Sequence, residues 1–469
     1  MNSTDFSNYV SPFSWRYGSD RMREIFSEKN KYRIWRKIWV ALAEAQHEAG
    51  LVSKHELEDL KRHEDDIDIA EILSIEKETN HDVVAAIREF AGKSPVGGGK
   101  IHLGATSMDI VDNADAIRIH EAMEEIQTRL ITLLKLFATH IRTYATTPCM
   151  GYTHLQPAEP TTVGYRLAFY AQDLLTDLAF LNFVRSIYKG KGMKGAVGSS
   201  ASYKAALTGS RMSPKELDVS VMKTLGIPAS LITSQVAPRK YDFLVISALA
   251  SIASSLAKFA GDVRILQSAG VGEWSEPFGK KQVGSSAMPF KRNPINSEKI
   301  CSLARYVTSL PEVALGNATV NYLERTLDDS ANKRIVMSEA FLASDEILIT
   351  AEKIVSGLVI NTRRIEYNVN QFAPFAATES ILIILVKRGA NRQEMHELLR
   401  TISMKSWEAV QEGKPNPMTD LLNQNKIIKQ YLKNDEICGC LDVASHIGDA
   451  PERALSLVDE ITKTIKKYA

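Results

Sequence analysis

The stretch that decides the fold is Phe243-Leu-Val-Ile-Ser-Ala-Leu-Ala-Ser-Ile-Ala-Ser-Ser-Leu-Ala-Lys-Phe-Ala260. Its apolar and small residues cover almost the whole circumference of a helix, which predicts burial on nearly all sides. It lies in a proline-free stretch, residues 239–276. A helix of ~25 residues would be ~37 Å long at ~1.5 Å per residue, too long for the core of an ordinary small domain. We therefore predict an elongated helical bundle, or a bundle shared between subunits.

Three further stretches lack proline and are rich in helix-forming residues, 96–147, 161–213 and 312–373. Such composition predicts more long helices. In the first stretch, apolar residues recur at three- and four-residue steps, the spacing of one buried stripe on a helix. They are Met123, Ile126, Leu130, Leu133, Phe137, Ile141 and Tyr144.

Alternating strand patterns are scarce, so we predict an all-α chain. Gly97–Gly99 follows an N-terminal helical region, and Asn361–Asn370 follows the last proline-free stretch. We place domain boundaries at these two segments. The predicted domains are an N-terminal helical domain (1–106), a central long-helix bundle (107–360) and a C-terminal helical domain (361–469).

Composition narrows the class of protein. Lys plus Arg number 57 and Asp plus Glu 56, a formal charge of +1, so no extended basic face for nucleic acid or membrane is expected. The four cysteines fit neither a zinc spacing nor a Cys-x-x-Cys motif. The first residues, Met1–Asp5, lack the basic and apolar regions of a signal peptide, so none is expected. The longest apolar run, Ile381–Val386, is too short to cross a bilayer. We predict a cytoplasmic protein that binds neither nucleic acid nor membrane.

The segment Gly284-Ser-Ser-Ala-Met-Pro-Phe-Lys-Arg-Asn-Pro294 is predicted to be a loop that handles anions. Glycine permits unusual backbone dihedrals, and proline lacks a backbone donor, so Gly284, Pro289 and Pro294 argue against regular structure. Two serines, a lysine, an arginine and an asparagine within it could supply a nucleophile or a base.

A second glycine-rich segment, Gly190–Gly195, formally matches a dinucleotide-binding fingerprint but follows a helical pattern, where that motif needs a strand. Two alternatives stay open: an anion-binding loop that uses Lys191 and Lys194, or an ordinary connection between helices. A third charged segment, Glu324–Arg334, offers arginine forks that suit carboxylate and phosphate groups, or else forms a solvated helix face.

Three histidines, His81, His102 and His154, lie among polar, turn-forming neighbours. Taken singly, each is typical of a hydrogen-bonded structural histidine. None has the close His/His or His/Glu spacing of a zinc site, so no metal is predicted. A histidine is nevertheless a suitable general acid, because its reference pKa is ~6.5.

Together these segments resemble the fumarase and aspartase superfamily, whose members carry three separated motifs of this kind. Here they are His102–Asp112, Thr153–Gly164 and Gly284–Pro294. Within it, the chain is most similar to the adenylosuccinate lyase family. The segments that narrow the resemblance are Ser14–Ser19, Asn80–Val83, Glu324–Arg334 and Phe375–Glu379.

The resemblance implies β-elimination of fumarate from a succinyl-substituted nitrogen, without a cofactor. The substrates would be adenylosuccinate, giving AMP, and the succinyl-carboxamide intermediate of purine synthesis (SAICAR), giving AICAR. It also implies a homotetramer in which the central long-helix bundle is common to the subunits and each active site is built from three chains. The loop around 270–290 would close over the substrate as a lid.

The same resemblance implies five catalytic residues. Ser285 would remove the Cβ proton, with its anion stabilised by Lys291 and loop amides. His154 would protonate the departing nitrogen. His81 would bind and orient the substrate, and Glu298 would partner a histidine.

The remaining implied residues bind substrate. The phosphate and ribose contacts would be Arg16, Tyr17, Arg325, Ser330 and Arg334, and the surroundings of the succinyl group would be Thr106, Ser107 and Gln235. The neighbours of the catalytic residues would be Asp82, Thr153, Ser286 and Asn293. This chain has Asn80 and Lys299 where family members often carry arginine. Asn80 supplies no extra cation, and Lys299 keeps the charge but loses the fork.

Other readings of the sequence are kept as alternatives. One is a different lyase of the superfamily, acting on argininosuccinate, fumarate or aspartate. Another is a non-catalytic structural relative, although a structural role needs neither His154 nor Ser285. Without the resemblance, a plain helical scaffold protein would also fit the composition.

Overall fold

The structure is a computed structural model that describes residues 6–468. Within them the chain is mostly helical, which confirms the predicted all-α class. The helices are α1 (Asp20–Ile25), α2 (Glu28–Glu48), α3 (Lys54–Arg62), α4 (Ile69–Thr79), α5 (Asp82–Lys93), α6 (Ser107–Thr143), α7 (Val163–Ile187), α8 (Ala201–Ala206), α9 (Pro214–Leu225), α10 (Lys240–Leu266), α11 (Ile295–Thr319), α12 (Ser330–Ser356), α13 (Thr362–Lys387), α14 (Arg392–Gln411), α15 (Met418–Gln424), α16 (Asn434–Cys440) and α17 (Ala450–Ile465). The short strands are β1 (Pro148–Thr153), β2 (Gln156–Thr162), β3 (Trp274–Ser275) and β4 (Val359–Ile360).

The apolar stretch at 243–260 forms most of α10, as predicted. Its large apolar residues from Val245 to Phe259 are fully buried. One side of the helix is less covered than the sequence suggested, because Ser254 and Lys258 are exposed and Ser251 is half-buried. A face of small residues on this long helix is thus accessible in the single chain.

The predicted stripe on α6 is also confirmed, since six of its members from Met123 to Ile141 have no exposed surface. Tyr144 lies beyond the end of the helix and is half-buried. Proline positions were less reliable markers of helix ends. Pro311 lies inside α11 and Pro374 inside α13, where packing of the flanking turns outweighs the loss of one backbone hydrogen bond.

The sequence did not predict the antiparallel hairpin that β1 and β2 form. Its strands contain Pro148, Pro157 and Pro160, which interrupt the ladder of backbone donors and conceal the alternating pattern. A bulge shifts the register between Met150 and Tyr152. Helix α13 packs along this hairpin.

The chain divides into two compact units, each built from three separated stretches. The first contains the described residues up to Arg129 together with Asp177–Ser254 and Ser302–Ile349. In its core, the ring of Trp39 contacts the rings of both Trp35 and Phe90. These stretches alternate along the sequence with those of the second unit. The division into three consecutive domains stays a prediction.

The second unit contains Leu130–Thr176, Ser255–Cys301 and the described residues from Thr350 onwards. In its core, Phe259 of α10 makes edge-to-face contacts with Phe137 of α6 and Tyr170 of α7, with ring centroids 5.3 and 5.4 Å apart. A separate apolar cluster joins α13, α14, α15 and α16.

Two of the described helices, α10 and α13, are long and apolar enough to cross a membrane by length and composition alone. The longest uninterrupted apolar run, Ile381–Val386, lies within α13 but covers only a small part of it. Half of the most apolar stretch of α10, and 28% of that of α13, is buried inside the protein. Two such helices are weak evidence for a membrane span, because core helices of soluble proteins can have the same length and composition.

The segment Gly190–Gly195 is a connection that binds an anion, and the anion is a carboxylate of the same chain. Lys191 is fully buried and forms an ion pair with Asp109, whose carboxylate also accepts hydrogen bonds from the Gly195 amide (3.1 Å) and the Tyr203 hydroxyl (3.0 Å). Burial and the charge of Asp109 raise the pKa of Tyr203, so its hydroxyl stays a donor. The dinucleotide interpretation is not supported by this geometry.

We predict that Lys191→Met lowers the free energy of unfolding by about 3–5 kcal/mol, because it leaves the Asp109 carboxylate buried without its cation. Urea denaturation followed by circular dichroism measures the change. Lys204→Met, at an exposed lysine of α8, is the matched control and should change stability by no more than about 0.5 kcal/mol. Equal stabilities of the two variants would contradict the importance of the buried pair.

Candidate active site

The first unit contains a cavity of about 790 Å³. Parts of its wall come from the turn between α4 and α5, from the start of α6 and from the start of α12. Eight of the residues implied by the family resemblance line it. They are His81, Asp82, Thr106, Ser107, Gln235, Arg325, Ser330 and Arg334.

The turn that presents His81 depends on Asn80. Asn80 adopts a left-handed conformation (φ 51°) at the end of α4, which asparagine tolerates better than most side chains. His81 then caps α5, with its Nδ1 accepting a hydrogen bond from the Val84 amide at 3.4 Å. Asparagine at position 80, where family members often carry arginine, therefore suits a backbone conformation that helps to orient His81.

Asp82 links this turn to α12. Its Oδ2 accepts a hydrogen bond from Nη2 of Arg334 at 2.8 Å. Burial alone raises the pKa of Asp82, but the hydrogen bond and charge of Arg334 outweigh it and lower the pKa overall. Asp82 is therefore ionised near neutral pH, and it holds Arg334 at the cavity.

The wall of the cavity also contains a network of buried charges that the sequence did not predict. Arg239 donates to both oxygens of Asp112 (3.0 and 3.1 Å) and also binds Asp329. Asp329 in turn accepts from Arg325 at 2.7 Å. Arg325, which was implied by the resemblance, is thus held by a carboxylate four residues further on, just before α12 begins.

Lys333 extends the same network. Its Nζ lies 3.1 Å from Asp115, 3.6 Å from Asp242 and 3.7 Å from Asp112. Burial raises the pKa of Asp242, opposed by Lys333 and Arg239. The only signal in the sequence was the spacing of Asp112 and Asp115 on one face of α6, which does not reveal their partners.

Arg16 and Tyr17 do not line the cavity, although the resemblance places them with the substrate. The Arg16 guanidinium lies 5.6 Å from the ring centroid of Trp15 and 5.9 Å from that of Tyr17. The next residues are tied to α12, because the Gly18 amide donates to Glu346 at 3.0 Å and the Ser19 amide to Asp345 at 2.6 Å. The turn is thereby anchored while Arg16 itself stays exposed.

His154 belongs to the second unit, at the tip of the β1–β2 hairpin. His154 and Leu155 are the two turn residues, and both have positive φ (53° and 61°). Such a turn matches the twist of the flanking strands, but it is usually made with glycine or asparagine. A histidine and a leucine in this conformation indicate a strained turn. Thr153, beside them, is exposed as well.

Ser285 lies in the predicted loop, which has no helix or strand between residues 276 and 294. Its Oγ accepts hydrogen bonds from the amides of Met288 (3.1 Å) and Ala287 (3.3 Å). Two amide donors at one hydroxyl oxygen favour negative charge on that oxygen. Ser286 and Lys291 are exposed in the same loop.

The two ends of the segment Gly284–Pro294 lie close together. Asn293 donates to the Gly284 carbonyl at 3.1 Å, and a Cβ on Gly284 would lie 1.9 Å from the Lys291 carbonyl oxygen. Only glycine permits that approach. Glu276 anchors the root of the loop, because its carboxylate accepts from the Asn296 amide and side chain at the start of α11 (3.2 and 2.8 Å). Glu298 is exposed in the first turn of that helix.

Of the residues implied by the resemblance, ten belong to the first unit and seven to the second. The seven are Thr153, His154, Ser285, Ser286, Lys291, Asn293 and Glu298. Over residues 6–468, no group of three or more His, Cys, Asp or Glu side chains is arranged to hold a metal ion.

Comparison with known proteins gives the family. Residues 16–308 match the family model described as lyase, and residues 374–454 match the model described as adenylosuccinate lyase C-terminus. Adenylosuccinate lyase of Saccharomyces cerevisiae is 38% identical over 97% of this chain and 95% of its own length. The chain belongs to the adenylosuccinate lyase family. The family member of Methanocaldococcus jannaschii is 35% identical over 97% of this chain and 96% of its own.

Solved structures of more distant proteins share the fold of this adenylosuccinate lyase family member. The 3-carboxy-cis,cis-muconate lactonizing enzyme from Pseudomonas putida superposes with a TM-score of 0.84 at 23% identity, covering 96% of this chain and 99% of that one. Fumarate lyase from Mesorhizobium sp. BNC1 gives 0.82 at 22% identity, covering 97% and 99%. At such identities the likeness concerns the fold alone.

His102, in the first superfamily motif, generates a prediction about pH. It has positive φ (67°), and its Nδ1 accepts a hydrogen bond from the Trp39 indole at 3.0 Å. Burial, with a smaller contribution from the charge of His81, lowers its pKa to about 4 against the pull of Asp109. Between pH ~6.5 and about 4 the unfolded chain therefore binds a proton that the folded chain does not, and stability is lost as the pH falls.

We predict that His102→Asn flattens this dependence, because asparagine tolerates positive φ and can accept the Trp39 hydrogen bond, yet does not titrate. The measurement is the free energy of unfolding in urea at pH 7 and pH 4.5. The wild type should lose up to roughly 1.4 kcal/mol more per pH unit than the variant. His396→Asn, at an exposed position of α14, should show the same loss of unfolding free energy between pH 7 and pH 4.5 as the wild type. The prediction fails if His102→Asn shows that loss too.

Proposed function

We propose that the chain is an adenylosuccinate lyase that eliminates fumarate from adenylosuccinate to give AMP, and from SAICAR to give AICAR. Similarity to named adenylosuccinate lyases over nearly the full length of both chains carries the proposal. The match of residues 374–454 to the model described as adenylosuccinate lyase C-terminus supports it further. Contacts within each of the two units support the proposed roles.

Ser285 is the proposed base. A free serine hydroxyl is a weak base, so its anion must be stabilised before it can remove the Cβ proton. The amides of Ala287 and Met288 already point at Oγ, and Lys291 is the cation of the same loop. The proton passes to Oγ, and the electron pair of the C–H bond spreads into the adjacent carboxylate as an aci-carboxylate. Lys291 and Asn293 would hold the carboxylates on which this charge develops.

His154 is the proposed acid. Collapse of the aci-carboxylate forms the double bond of fumarate and breaks the C–N bond, and His154 delivers a proton to the departing nitrogen. Its place at the exposed tip of a hairpin suits a group that reaches into a site completed by other elements. Thr153 would contact the substrate beside it.

The cavity of the first unit is the proposed site for the phosphate, the ribose and part of the succinyl group. Arg334 supports this assignment because its side chain is 60% exposed while one nitrogen is held by Asp82. The remaining guanidinium donors can bind a phosphate oxygen. Arg325 and Ser330 would complete the anion site, His81 and Gln235 would orient the succinyl group with Thr106 and Ser107, and Arg16 with Tyr17 would approach from the N-terminal turn.

The proposed assembly is a homotetramer with active sites built from three chains. An exposed face of α7 supports self-association, because no residue along it is charged although it runs the length of the helix. Three of its aromatic side chains are 40% to 56% exposed. The face consists of Tyr165, Phe169, Gln172, Thr176, Ala179, Phe183 and Ser186. An uncharged face of this extent is typical of a subunit interface.

We further propose that the enzyme works in the cytoplasm, without a cofactor and without binding nucleic acid or membrane. Acid, base and anion-binding groups account for the elimination. The near-balanced charge of +1 supports the absence of a nucleic-acid partner. Glu298 is the proposed partner of a histidine, which a structure of the assembled enzyme with substrate would test.

The purified protein is predicted to convert adenylosuccinate to AMP, followed by the change in ultraviolet absorbance. His154→Ala and Ser285→Ala should each lower kcat by about 10²- to 10⁴-fold, the usual contribution of a positioned acid or base. His396→Ala and Ser456→Ala, at exposed positions of α14 and α17, are matched controls and should retain wild-type kcat.

The outcomes separate the alternatives. Turnover of argininosuccinate but not of adenylosuccinate would replace the substrate assignment with that of another superfamily lyase. Absence of turnover, together with no thermal stabilisation by AMP and fumarate, would favour a structural relative. Full activity in both alanine variants would refute the assigned acid and base.

A further inference from the structure

The second unit contains a buried carboxylate, Glu273, that no part of the proposed mechanism uses. Its side chain has no exposed surface, and both oxygens are bound. Oε1 accepts from the Tyr152 hydroxyl (3.2 Å) and from Nδ2 of the Asn368 side chain (3.0 Å), while Oε2 accepts from Nη1 of Arg166 (3.2 Å). A carboxylate removed from water in this way is costly unless it is fully paired, as it is here.

One side of this network holds the hairpin that carries His154. Tyr152 lies in β1, two residues before His154, and Arg166 also donates to the carbonyl oxygen of Met150. The two contacts bracket the bulge at Gly151, where a Cβ would come within 2.7 Å of the Glu159 carbonyl oxygen. Tyr152 and Arg166 therefore tie the backbone on both sides of the bulge to Glu273.

The other side of the network holds the start of the Ser285 loop. The Glu273 amide donates to the Leu266 carbonyl at the end of α10 (2.9 Å), and the Glu273 carbonyl accepts from Asn361 (2.8 Å). Strand β3 follows directly, and Glu276, the anchor of the loop, is three residues further on. One residue thus connects the base of the hairpin with the entry to the loop.

The tip of the hairpin needs such support. Thr153, His154 and Leu155 are exposed, and the two turn residues have positive φ. The direction in which His154 points is therefore determined largely by the base of the hairpin. A proton donor displaced by about 1 Å can lose on the order of 100-fold in rate.

We infer that Glu273 is a positioning residue for the proposed elimination, holding the His154 hairpin through Tyr152 and Arg166 against the segment that leads into the Ser285 loop. Glu273 does not touch the substrate in this scheme, and the inference rests on the proposed role of His154. Burial, followed by the charge of Glu273, raises the pKa of Tyr152, so the Tyr152 hydroxyl stays a donor over the pH range of an assay.

Tyr152→Phe is the sharpest test, because it removes only the hydroxyl from this network. We expect kcat for adenylosuccinate to fall on the order of 10- to 100-fold, with KM within about twofold of wild type. Tyr170→Phe is the matched control. It removes another tyrosine–carboxylate bond of the same unit, to Asp262 at 2.7 Å, and should leave kcat unchanged. Thermal melting of both variants shows whether they are equally folded.

A double-mutant cycle with His154→Ala distinguishes positioning from a general structural effect. If Tyr152 acts through His154, Tyr152→Phe should cost less than about twofold once His154 is absent. A full, multiplicative loss in that background, or wild-type kcat in Tyr152→Phe alone, would overturn the inference. If His154→Ala itself retains kcat, the proposed acid is wrong, which is a separate result.

Glu273→Gln tests the carboxylate directly in the assembled enzyme. It should lower kcat at least as much as Tyr152→Phe does, because it also removes the charge that binds Arg166. Circular dichroism verifies that the variant is folded before kcat is compared. A folded Glu273→Gln with wild-type kcat would refute the positioning role.

Discussion

The requirement that buried carboxylates be fully paired is the constraint on which the rest of this structure depends. An ionised carboxylate removed from water costs several kcal/mol unless cations and amides surround it. Asp109 meets that requirement with Lys191, Asp112 with Arg239, and Glu273 with Arg166. Each pair joins segments far apart in the chain, so satisfying the charges also sets the positions of the helices that carry them.

Four of the five proposed catalytic residues, by contrast, lie outside the helices and strands: His81, His154, Ser285 and Lys291. His81 follows Asn80, which has positive φ, and His154 has positive φ itself. Ser285 lies in a loop whose ends approach closely enough to require Gly284. Conformations of this kind cost free energy and persist only when the surrounding structure imposes them. The neighbouring helices and the hairpin, whose packing is extensive, provide that support.

The amino-acid sequence predicted the regular elements well and the pairing of charges poorly. Periodic apolar spacing over 123–141 and the all-round apolar stretch at 243–260 predicted α6 and most of α10, because burial depends on local spacing. The β1–β2 hairpin was missed because prolines interrupt both of its strands. The partners of Asp109 and Glu273 were not predicted, since ion pairs between distant residues leave no local pattern.

For the candidate site, motifs indicated which residues belong to it but not how they are held. The segments around His81, His154 and Ser285 carried the family resemblance, because residue type and order are properties of the sequence. Only the tertiary structure reveals that Asp82 holds Arg334, that two amides point at Ser285 Oγ, and that Tyr152 ties the His154 hairpin to a buried carboxylate. These are contacts between segments that folding alone brings together, and they depend on distances and burial that the order of residues does not state.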